Sequence, residues 1–484
     1  MELRGRLLRY AASYRSFLGE KQRKIHFLGV SRDRWYLPSM ASPDSVAYPM
    51  SARSTWLLLL FITLLGAILR LQAVTATVVE NPIRADARVY YFAALNMERW
   101  NIFSKEEPSE HPPKPDAFVQ PALPWVITHF IEFPPTDRML LRFNIAQAVL
   151  GTLTILLTFG FFRLFAGPAM ALGAALLTAL SPHLVVMTTY LLTETLFTFL
   201  LMGGMFALAF GLQRHQTAWA VIGGLLLGMS ALTRATTEYL PLFMLPFLYW
   251  ATDSQTFRRI ALPAALTALA VIFAWKLRNL AVTGALGDPT LMISALHHGM
   301  YPDFLFNGIP ESRGAPYRFD PFTQQINGAG SVVAEILRRT AEEPALYIWW
   351  YIVGKPISLL SWEMIDGIGD IFIYPISASP YLDRPLFTAT RTLALWLHAP
   401  ISIAAVVGCG VALVRPRLLG ITEKSRLPAQ LTALLVLYFF AIHLVGAPYP
   451  RYGIPLRPFI YGLGLFTLIS LARNLLSGYR QQTT

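Results

Sequence analysis

Two carboxylates lie next to apolar segments, where their position permits acid–base chemistry at a membrane surface. Asp86 follows the first apolar segment in the sequence Asp86-Ala-Arg-Val-Tyr90, and Glu194 precedes a later one. A hydrated carboxylate at such a position takes the proton of a hydroxyl group within hydrogen-bond distance. Asp86 and Glu194 are therefore the candidate catalytic residues, with Asp86 as the base.

Each carboxylate also has a purely structural interpretation. Asp86 suits the first turn of a short helix, where an acidic side chain accepts backbone N–H groups and complements the helix dipole. Glu194 heads an apolar helix and can act as a favourable N-terminal charge in the same way. In a catalytic site, Glu194 would hold a substrate hydroxyl or orient an arginine.

Basic and hydrogen-bonding residues gather on the same predicted side of the membrane. Positive charge on the outer side runs against the positive-inside preference, so these residues need an anionic partner. A phosphate group fits arginine well, because the planar guanidinium binds it through two hydrogen bonds. The candidate substrate-binding and phosphate-binding residues are Arg88, Tyr90, Arg234, Lys276, Arg278, His297, His298 and Arg451.

His297 and His298 also raise the question of a metal site. Adjacent histidines do not share a helix face, and no acidic residue follows at a ligand spacing. We therefore interpret them as loop residues that contact substrate, and we predict neither a metal site nor a cofactor. The single cysteine, Cys409, lies inside an apolar run and excludes a disulfide framework.

The composition predicts an all-α polytopic membrane protein. Of the 484 residues 54% are hydrophobic and 14% are charged, and the mean hydropathy is +0.46, which is too apolar for a soluble domain of this size. About ten segments have spanning length. They lie near 54–74, 139–165, 168–187, 194–212, 217–234, 237–251, 260–276, 388–414, 429–446 and 458–473.

Charge sets the orientation of these spans and the division of the chain. The net charge of +12 concentrates in loops that an even number of spans places inside, so both termini are predicted to be cytoplasmic and nucleic acid is not needed as a partner. Residues 347–362 contain Lys355-Pro356 and three tryptophans, which favours a helix lying in the interface over an eleventh span. The predicted parts are a basic N-terminal arm (1–53), a transmembrane catalytic module (54–276) with an outer loop (75–138), a second outer loop with interfacial helices (277–387), C-terminal spans (388–473) and a cytoplasmic tail (474–484).

Several short motifs, taken in order, resemble the GT-C superfamily of integral-membrane glycosyltransferases. The similarity is to the branch of protein O-mannosyltransferases and lipid A aminoarabinose transferases, glycosyltransferase families 39 and 83. It rests on residues 86–97, Gln120-Pro-Ala-Leu-Pro-Trp125, Arg142-Phe-Asn144, Leu192-Thr-Glu194, Gly228-Met-Ser-Ala-Leu-Thr-Arg234, Trp275-Lys-Leu-Arg-Asn279 and Arg451-Tyr-Gly-Ile-Pro455. The resemblance implies a GT-C transmembrane bundle with the base at Asp86. Many relatives have an acidic pair here, whereas this chain has Ala87.

The resemblance also implies transfer of a monosaccharide from a polyprenyl-phosphate donor to a hydroxyl or phosphate acceptor on the outer face of the membrane. A direct displacement with Asp86 as base would invert the anomeric centre. The acceptor would be a lipid, a glycan or a protein, and the location the inner membrane of a bacterium. Two alternatives remain open: a ligase or polymerase that moves lipid-linked oligosaccharides, and a secondary transporter.

Overall fold

The computed structural model describes the backbone of residues 50–483 and the side chains of residues 50–476, so residues 1–49 of the predicted basic arm lie outside the described part. Helices dominate it. In chain order they are α1 (Ala52–Ala76), α2 (Ala85–Trp100), α3 (Ala122–Thr128), α4 (Asp137–Phe162), α5 (Pro168–Leu180), α6 (Pro182–Val186), α7 (Glu194–Arg214), α8 (Thr217–Ala231), α9 (Leu240–Ala251), α10 (Ser254–Thr283), α11 (Thr290–Gly299), α12 (Ala329–Glu342), α13 (Pro344–Trp349), α14 (Lys355–Leu359), α15 (Pro380–Asp383), α16 (Pro385–Val414), α17 (Glu423–Val445) and α18 (Pro450–Leu476).

Fewer helices reach the length of a membrane span than the ten segments that the sequence predicts. Among the described residues, seven helices are long and apolar enough to cross a bilayer, and the bent pair formed by α5 with residues 182–189 makes an eighth candidate. The predicted spans at 217–234 and 237–251 correspond to α8 and α9, with 15 and 12 residues. At 1.5 Å per residue, these are shorter than the roughly 30 Å hydrocarbon core. The all-α membrane fold is confirmed, and the count of ten spans is not.

The bend between α5 and α6 has an identifiable cause. Pro182 has no backbone N–H to donate to the carbonyl of Thr178, four residues earlier. The buried guanidinium of Arg70 on α1 fills this gap, because it donates to the Thr178 carbonyl at 3.1 Å and to the Ala179 carbonyl at 3.2 Å. A buried arginine in an apolar helix is thereby paired with the backbone groups that the proline leaves open.

Small residues allow the helices that carry the site to approach closely. Gly224 on α8 faces the backbone of α10, where an added Cβ would lie 2.0 Å from the carbonyl oxygen of Ala264. Gly453 in α18 faces Leu359 at the same distance. Close backbone approach through small residues is the usual packing mode of membrane helices. It fixes the start of α18, where Arg451 lies.

A short antiparallel pair of strands joins the two predicted outer loops. β1 (Val78–Val79) follows α1 and pairs with β2 (Ile376–Ala378), with Val78 opposite Ala378. Next to β2, the Tyr374 hydroxyl donates to the carbonyl of Arg84 at 3.3 Å, just before α2 begins. The start of α2 is therefore held by residues almost three hundred positions away.

The end of α17 is capped by a lysine from the second outer loop. Lys355 is buried, and its ammonium donates to the carbonyls of Leu444 and Gly446 at 2.7 and 3.0 Å. It also lies 3.9 Å from the centre of the Tyr351 ring. A positive group at a helix C-terminus satisfies free carbonyls and complements the dipole. The segment 344–359 consists of short helical pieces, and its predicted interfacial position stays a prediction.

We expect Lys355→Met to destabilise the protein by about 1–3 kcal/mol, because two partly buried carbonyls at the helix end lose their donor. Burial lowers the pKa of Lys355 to about 7, below its usual value near 10.4 in an unfolded chain. The unfolded state therefore binds more protons between these two values. The stability of the wild type relative to the variant should rise as the pH increases from about 7 towards 10.

Thermal unfolding in lipid nanodiscs at several pH values measures both effects. Lys424→Met is the matched control, because Lys424 is an exposed lysine at the other end of α17. Equal unfolding temperatures for the two variants would show that Lys355 does not stabilise the helix end.

Candidate active site

Asp86 lies in the first turn of α2 and does not act as its N-cap. The N-cap position is Arg84, whose side chain makes no capping hydrogen bond. The Asp86 carboxylate instead accepts a hydrogen bond from Arg451 Nη1 at 2.9 Å through its Oδ2 atom. Its side chain is 54% exposed. Asp86 is therefore an accessible carboxylate held in place by an arginine.

Arg451 connects Asp86 to Glu194. It lies in the first turn of α18, where its side chain is 8% exposed, and its Nε donates to Glu194 Oε1 at 2.5 Å. The same oxygen accepts from Arg234 Nη1 at 2.6 Å, and the Glu194 side chain is fully buried. Asp86, Arg451, Glu194 and Arg234 thus form one continuous ion chain. The fold brings these four residues together from three helix starts and the segment after α8.

Neighbouring side chains fix the inner end of the ion chain. The Arg234 guanidinium lies 4.6 Å from the centre of the Tyr452 ring and also donates to Thr193 Oγ1 at 3.3 Å. Tyr90 on α2 lies close enough to interact electrostatically with the ion chain. Burial raises the pKa of Tyr90, and the negative charge of Asp86 raises it further. The Tyr90 hydroxyl is therefore a neutral donor and acceptor beside the charges.

Three of the predicted cations have other partners or none. Lys276 pairs with Glu238 at 2.8 Å. Arg278 donates to the carbonyl of Asp116 at 2.9 Å and to Asn279 at 3.1 Å. Arg88 is exposed and makes no ion pair within residues 50–476. The structure does not bring these residues into contact with the ion chain, and their assignment to phosphate stays a prediction.

The two histidines are placed differently from the prediction. They lie in the last turn of α11 and not in a loop. His297 Nε2 lies 2.8 Å from the Tyr301 hydroxyl, whereas His298 stacks on Tyr317 at 4.1 Å. Burial lowers the pKa of His297, and burial lowers that of His298 to about 4. Both imidazoles are neutral near pH 7, so they offer a phosphate hydrogen bonds but no charge.

A further acidic residue, Asp366, lies near the ion chain, and the sequence analysis did not single it out. It interacts electrostatically with Arg451, Glu194 and Asp86, and burial raises its pKa. Its Oδ1 atom is buried and has no hydrogen-bond partner. The only sequence signal is the acidic and glycine-rich run Asp366-Gly-Ile-Gly-Asp370 in the second outer loop.

Aromatic residues connect the ion chain to α11. Tyr452, beneath Arg234, contacts Tyr449 with ring centres 5.6 Å apart. The Tyr449 hydroxyl lies 3.3 Å from His298 Nδ1. Tyr317, Tyr449 and Tyr452 with His298 thus form an aromatic row from α11 to the ion chain. In the described part of the chain, no group of three histidine, cysteine or acidic side chains has the geometry of a metal site.

The fold of this protein is similar to that of solved membrane proteins. The structure matches the archaeal oligosaccharyltransferase AglB from Archaeoglobus fulgidus, solved with an inhibitory peptide and a dolichol-phosphate, with a TM-score of 0.50 and 14% identity over 88% of this chain. The chain has the GT-C fold. It spans about half the length of AglB, since 51% of that protein is covered.

One family model and a second solved structure also match parts of this chain. Residues 111–276 match the model of the family described as dolichyl-phosphate-mannose-protein mannosyltransferase. ArnT from Cupriavidus metallidurans in the apo state matches with a TM-score of 0.38 and 14% identity, covering 86% of this chain and 78% of ArnT. No curated protein sequence matches the chain. The AglB match therefore confirms the expected GT-C fold of this integral membrane protein.

Proposed function

We propose that this protein transfers a monosaccharide from a polyprenyl-phosphate donor to a hydroxyl group of an acceptor at the outer face of a bacterial inner membrane. The observation that carries the proposal is the ion chain. It has an accessible carboxylate, Asp86, at its open end and two arginines behind it, Arg451 and Arg234. A base and fixed positive charge are what this reaction requires.

Asp86 takes the role of general base. Its Oδ2 atom is held by Arg451, whereas Oδ1 has no protein partner within the described residues. An acceptor hydroxyl at hydrogen-bond distance from Oδ1 transfers its proton to Asp86 as its oxygen bonds to the anomeric carbon. The opposite bond, from the anomeric carbon to the phosphate oxygen, breaks in the same step, so the anomeric configuration inverts.

The arginines stabilise the leaving group. The polyprenyl phosphate departs with the electron pair of the broken bond and gains one negative charge. Arg451 uses Nε and Nη1 for the two carboxylates, and Arg234 uses Nη1, so in the described structure each guanidinium retains Nη2 for phosphate. Glu194 orients both groups. Because guanidinium groups supply the positive charge, the proposal requires no metal and no cofactor.

The comparisons support this donor class. The matching AglB structure contains a dolichol-phosphate, and the matched family model is described by a dolichyl-phosphate-mannose donor. Both descriptions concern a sugar carrier that ends in a phosphate on a polyisoprenoid lipid. The fold match to an oligosaccharyltransferase also favours transfer of a whole oligosaccharide as the second candidate function.

A transfer assay with the reconstituted protein distinguishes these functions. The full chain in liposomes receives a panel of undecaprenyl-phosphate monosaccharides and, separately, an undecaprenyl-diphosphate oligosaccharide, with an acceptor extract from bacterial envelopes. We expect transfer from at least one monosaccharide donor, with inversion of the anomeric centre detected by NMR. Transfer only from the diphosphate donor would support the second candidate, and no transfer from either would contradict both.

Asp366 predicts a pH dependence of donor binding. Because burial raises its pKa, Asp366 is uncharged over a wider acidic range than an exposed aspartate. Above that pKa it adds a third carboxylate near Arg451, which repels an anionic lipid phosphate. In the wild type, the affinity for an undecaprenyl-phosphate sugar should therefore fall as the pH rises through this value.

Asp366→Asn should abolish this dependence while binding persists. The probe is a phosphodiester and keeps a constant charge over this range, so its own titration does not contribute. Glu363→Gln is the control, because the Glu363 side chain is exposed. An unchanged pH profile in Asp366→Asn would show that Asp366 does not influence donor binding.

A further inference from the structure

A cavity of about 490 Å³ lies in the second outer loop, apart from the ion chain. Its walls come from α12, the beginning of α13 and the turns between α11 and α12. Its volume lies within the usual range for small-molecule sites. Its lining includes Phe306, Phe322, Gln325, Tyr347 and several charged side chains.

The charged lining residues form a network of hydrogen-bonded ion pairs, which we call the cavity network. Asp320 accepts from Arg339 at 2.6 Å and from the Tyr301 hydroxyl at 2.7 Å. Glu335 accepts from both Arg338 and Arg339 at 2.6 Å. The hydrogen bonds from Arg338 hold the pKa of Glu335 at about 2, so it remains an acceptor. Pairing of this kind fixes the orientation of the polar groups before any ligand binds.

The chemistry of the lining excludes several ligand classes. Four carboxylates (Asp320, Glu335, Glu342 and Glu343) face two guanidinium groups, so the cavity is unfavourable for phosphate and other anions. An apolar lipid chain would desolvate these charges without replacing their hydrogen bonds. A metal ion would have to displace arginine from Asp320 and Glu335.

A carbohydrate matches the carboxylate, guanidinium, amide and aromatic groups that line the cavity. Its hydroxyls donate to carboxylate oxygens and accept from guanidinium and amide N–H groups, as Arg338 and Gln325 offer. Phe306 and Phe322, which are half-buried, add a small apolar area for its C–H groups in the same cavity. Both the hydroxyl groups and the C–H groups of a sugar thus have contacts in the cavity.

The cavity is connected to the reaction centre by direct contacts. Asp320 bonds to Tyr301, whose hydroxyl contacts His297 at 2.8 Å. His298, the next residue, belongs to the aromatic row that ends at Tyr452 beneath Arg234. The wall of the cavity is thus linked to the ion chain through the buried side chains of Tyr301, His297 and Tyr449.

We propose that this cavity binds a neutral or amino sugar of the acceptor glycan, distant from the hydroxyl that reacts. The acceptor is then a glycan of several residues. Only the link to transfer rests on the proposed function, whereas the binding of sugar by the cavity does not require a donor.

A large side chain introduced at the cavity wall would fill the cavity and leave every ion pair in place. Gln325 is exposed at the cavity wall, and its neighbour Gln324 is exposed but does not line the cavity. Gln325→Trp should therefore occupy the cavity, and Gln324→Trp is the matched control. The probes are mannobiose, maltose and chitobiose, with glucose 1-phosphate and trilysine as competitors, measured by saturation-transfer NMR on the full chain in nanodiscs.

We expect at least one neutral disaccharide to bind wild type, Gln324→Trp and Asp86→Asn alike, and Gln325→Trp to bind it at least tenfold more weakly. Binding that is unchanged in Gln325→Trp, or no binding of any disaccharide, would overturn the inference. Binding of trilysine or glucose 1-phosphate in place of sugar would do the same. Sugar binding by a protein that shows no transfer would contradict the proposed function and leave the cavity assignment standing.

Discussion

Asp86→Asn should lower the rate of sugar transfer by about 10²–10⁴-fold, the usual contribution of a general base. The substitution preserves the size of the side chain and removes its ability to take a proton. Arg451 keeps its bond to Glu194 in the variant, so we expect little change in unfolding temperature. Affinity for the undecaprenyl-phosphate sugar should stay within a factor of a few.

The control for this experiment is Asp137→Asn. Asp137 is also an exposed aspartate in the first turn of a helix, α4, so the same dipole argument applies to it. If Asp86 had only a structural role, both variants would keep near-normal transfer and lose similar, small amounts of stability. Equal transfer by Asp86→Asn and wild type would refute the assignment of the base.

Glu194→Gln should have the largest effect on stability. The Glu194 carboxylate is fully buried between Arg451 and Arg234. Removing one partner of a buried ion pair leaves uncompensated charge and costs about 3–5 kcal/mol. We therefore expect a much lower unfolding temperature, together with loss of transfer, because the two guanidinium groups lose the acceptor that orients them.

An anionic ligand should offset part of this loss. Undecaprenyl phosphate places negative charge beside the two arginines, so it should raise the unfolding temperature of Glu194→Gln more than that of the wild type. Glu335→Gln is the matched control, because Glu335 also pairs with two arginines, Arg338 and Arg339, outside the ion chain. If undecaprenyl phosphate stabilises Glu194→Gln no more than Glu335→Gln, the arginines of the ion chain do not bind the lipid phosphate.

The sequence predicts the residues of the ion chain better than the residues around it. Asp86, Glu194, Arg234 and Arg451 stand out because charge is rare next to apolar segments, and the fold brings all four into contact. Lys276 and Arg278 stand out for the same reason but have partners elsewhere. Position along the chain indicates the side of the membrane, whereas the partner of a charge depends on helix packing.

Other features lack a signal in the sequence. Asp366 lies in a loop without hydrophobic periodicity, so only the folded chain brings it near Arg451. The α8 and α9 segments are as apolar as the longer helices, but α8 already ends at Ala231 and α9 begins only at Leu240. The bend at Pro182 is visible as a proline, but the role of Arg70 as its partner is a tertiary contact.

The order in which the ion chain is completed has a consequence for biogenesis. Arg451 reaches Asp86 across 365 positions of sequence and enters the membrane with the last helix. Until that helix inserts, Glu194 has only Arg234 to compensate its charge, and Asp86 has no partner in the ion chain. A chain that stalls or is truncated before α18 would thus present an unbalanced acidic patch at the membrane. Insertion of the last helix would therefore balance these charges and complete the proposed site in the same event.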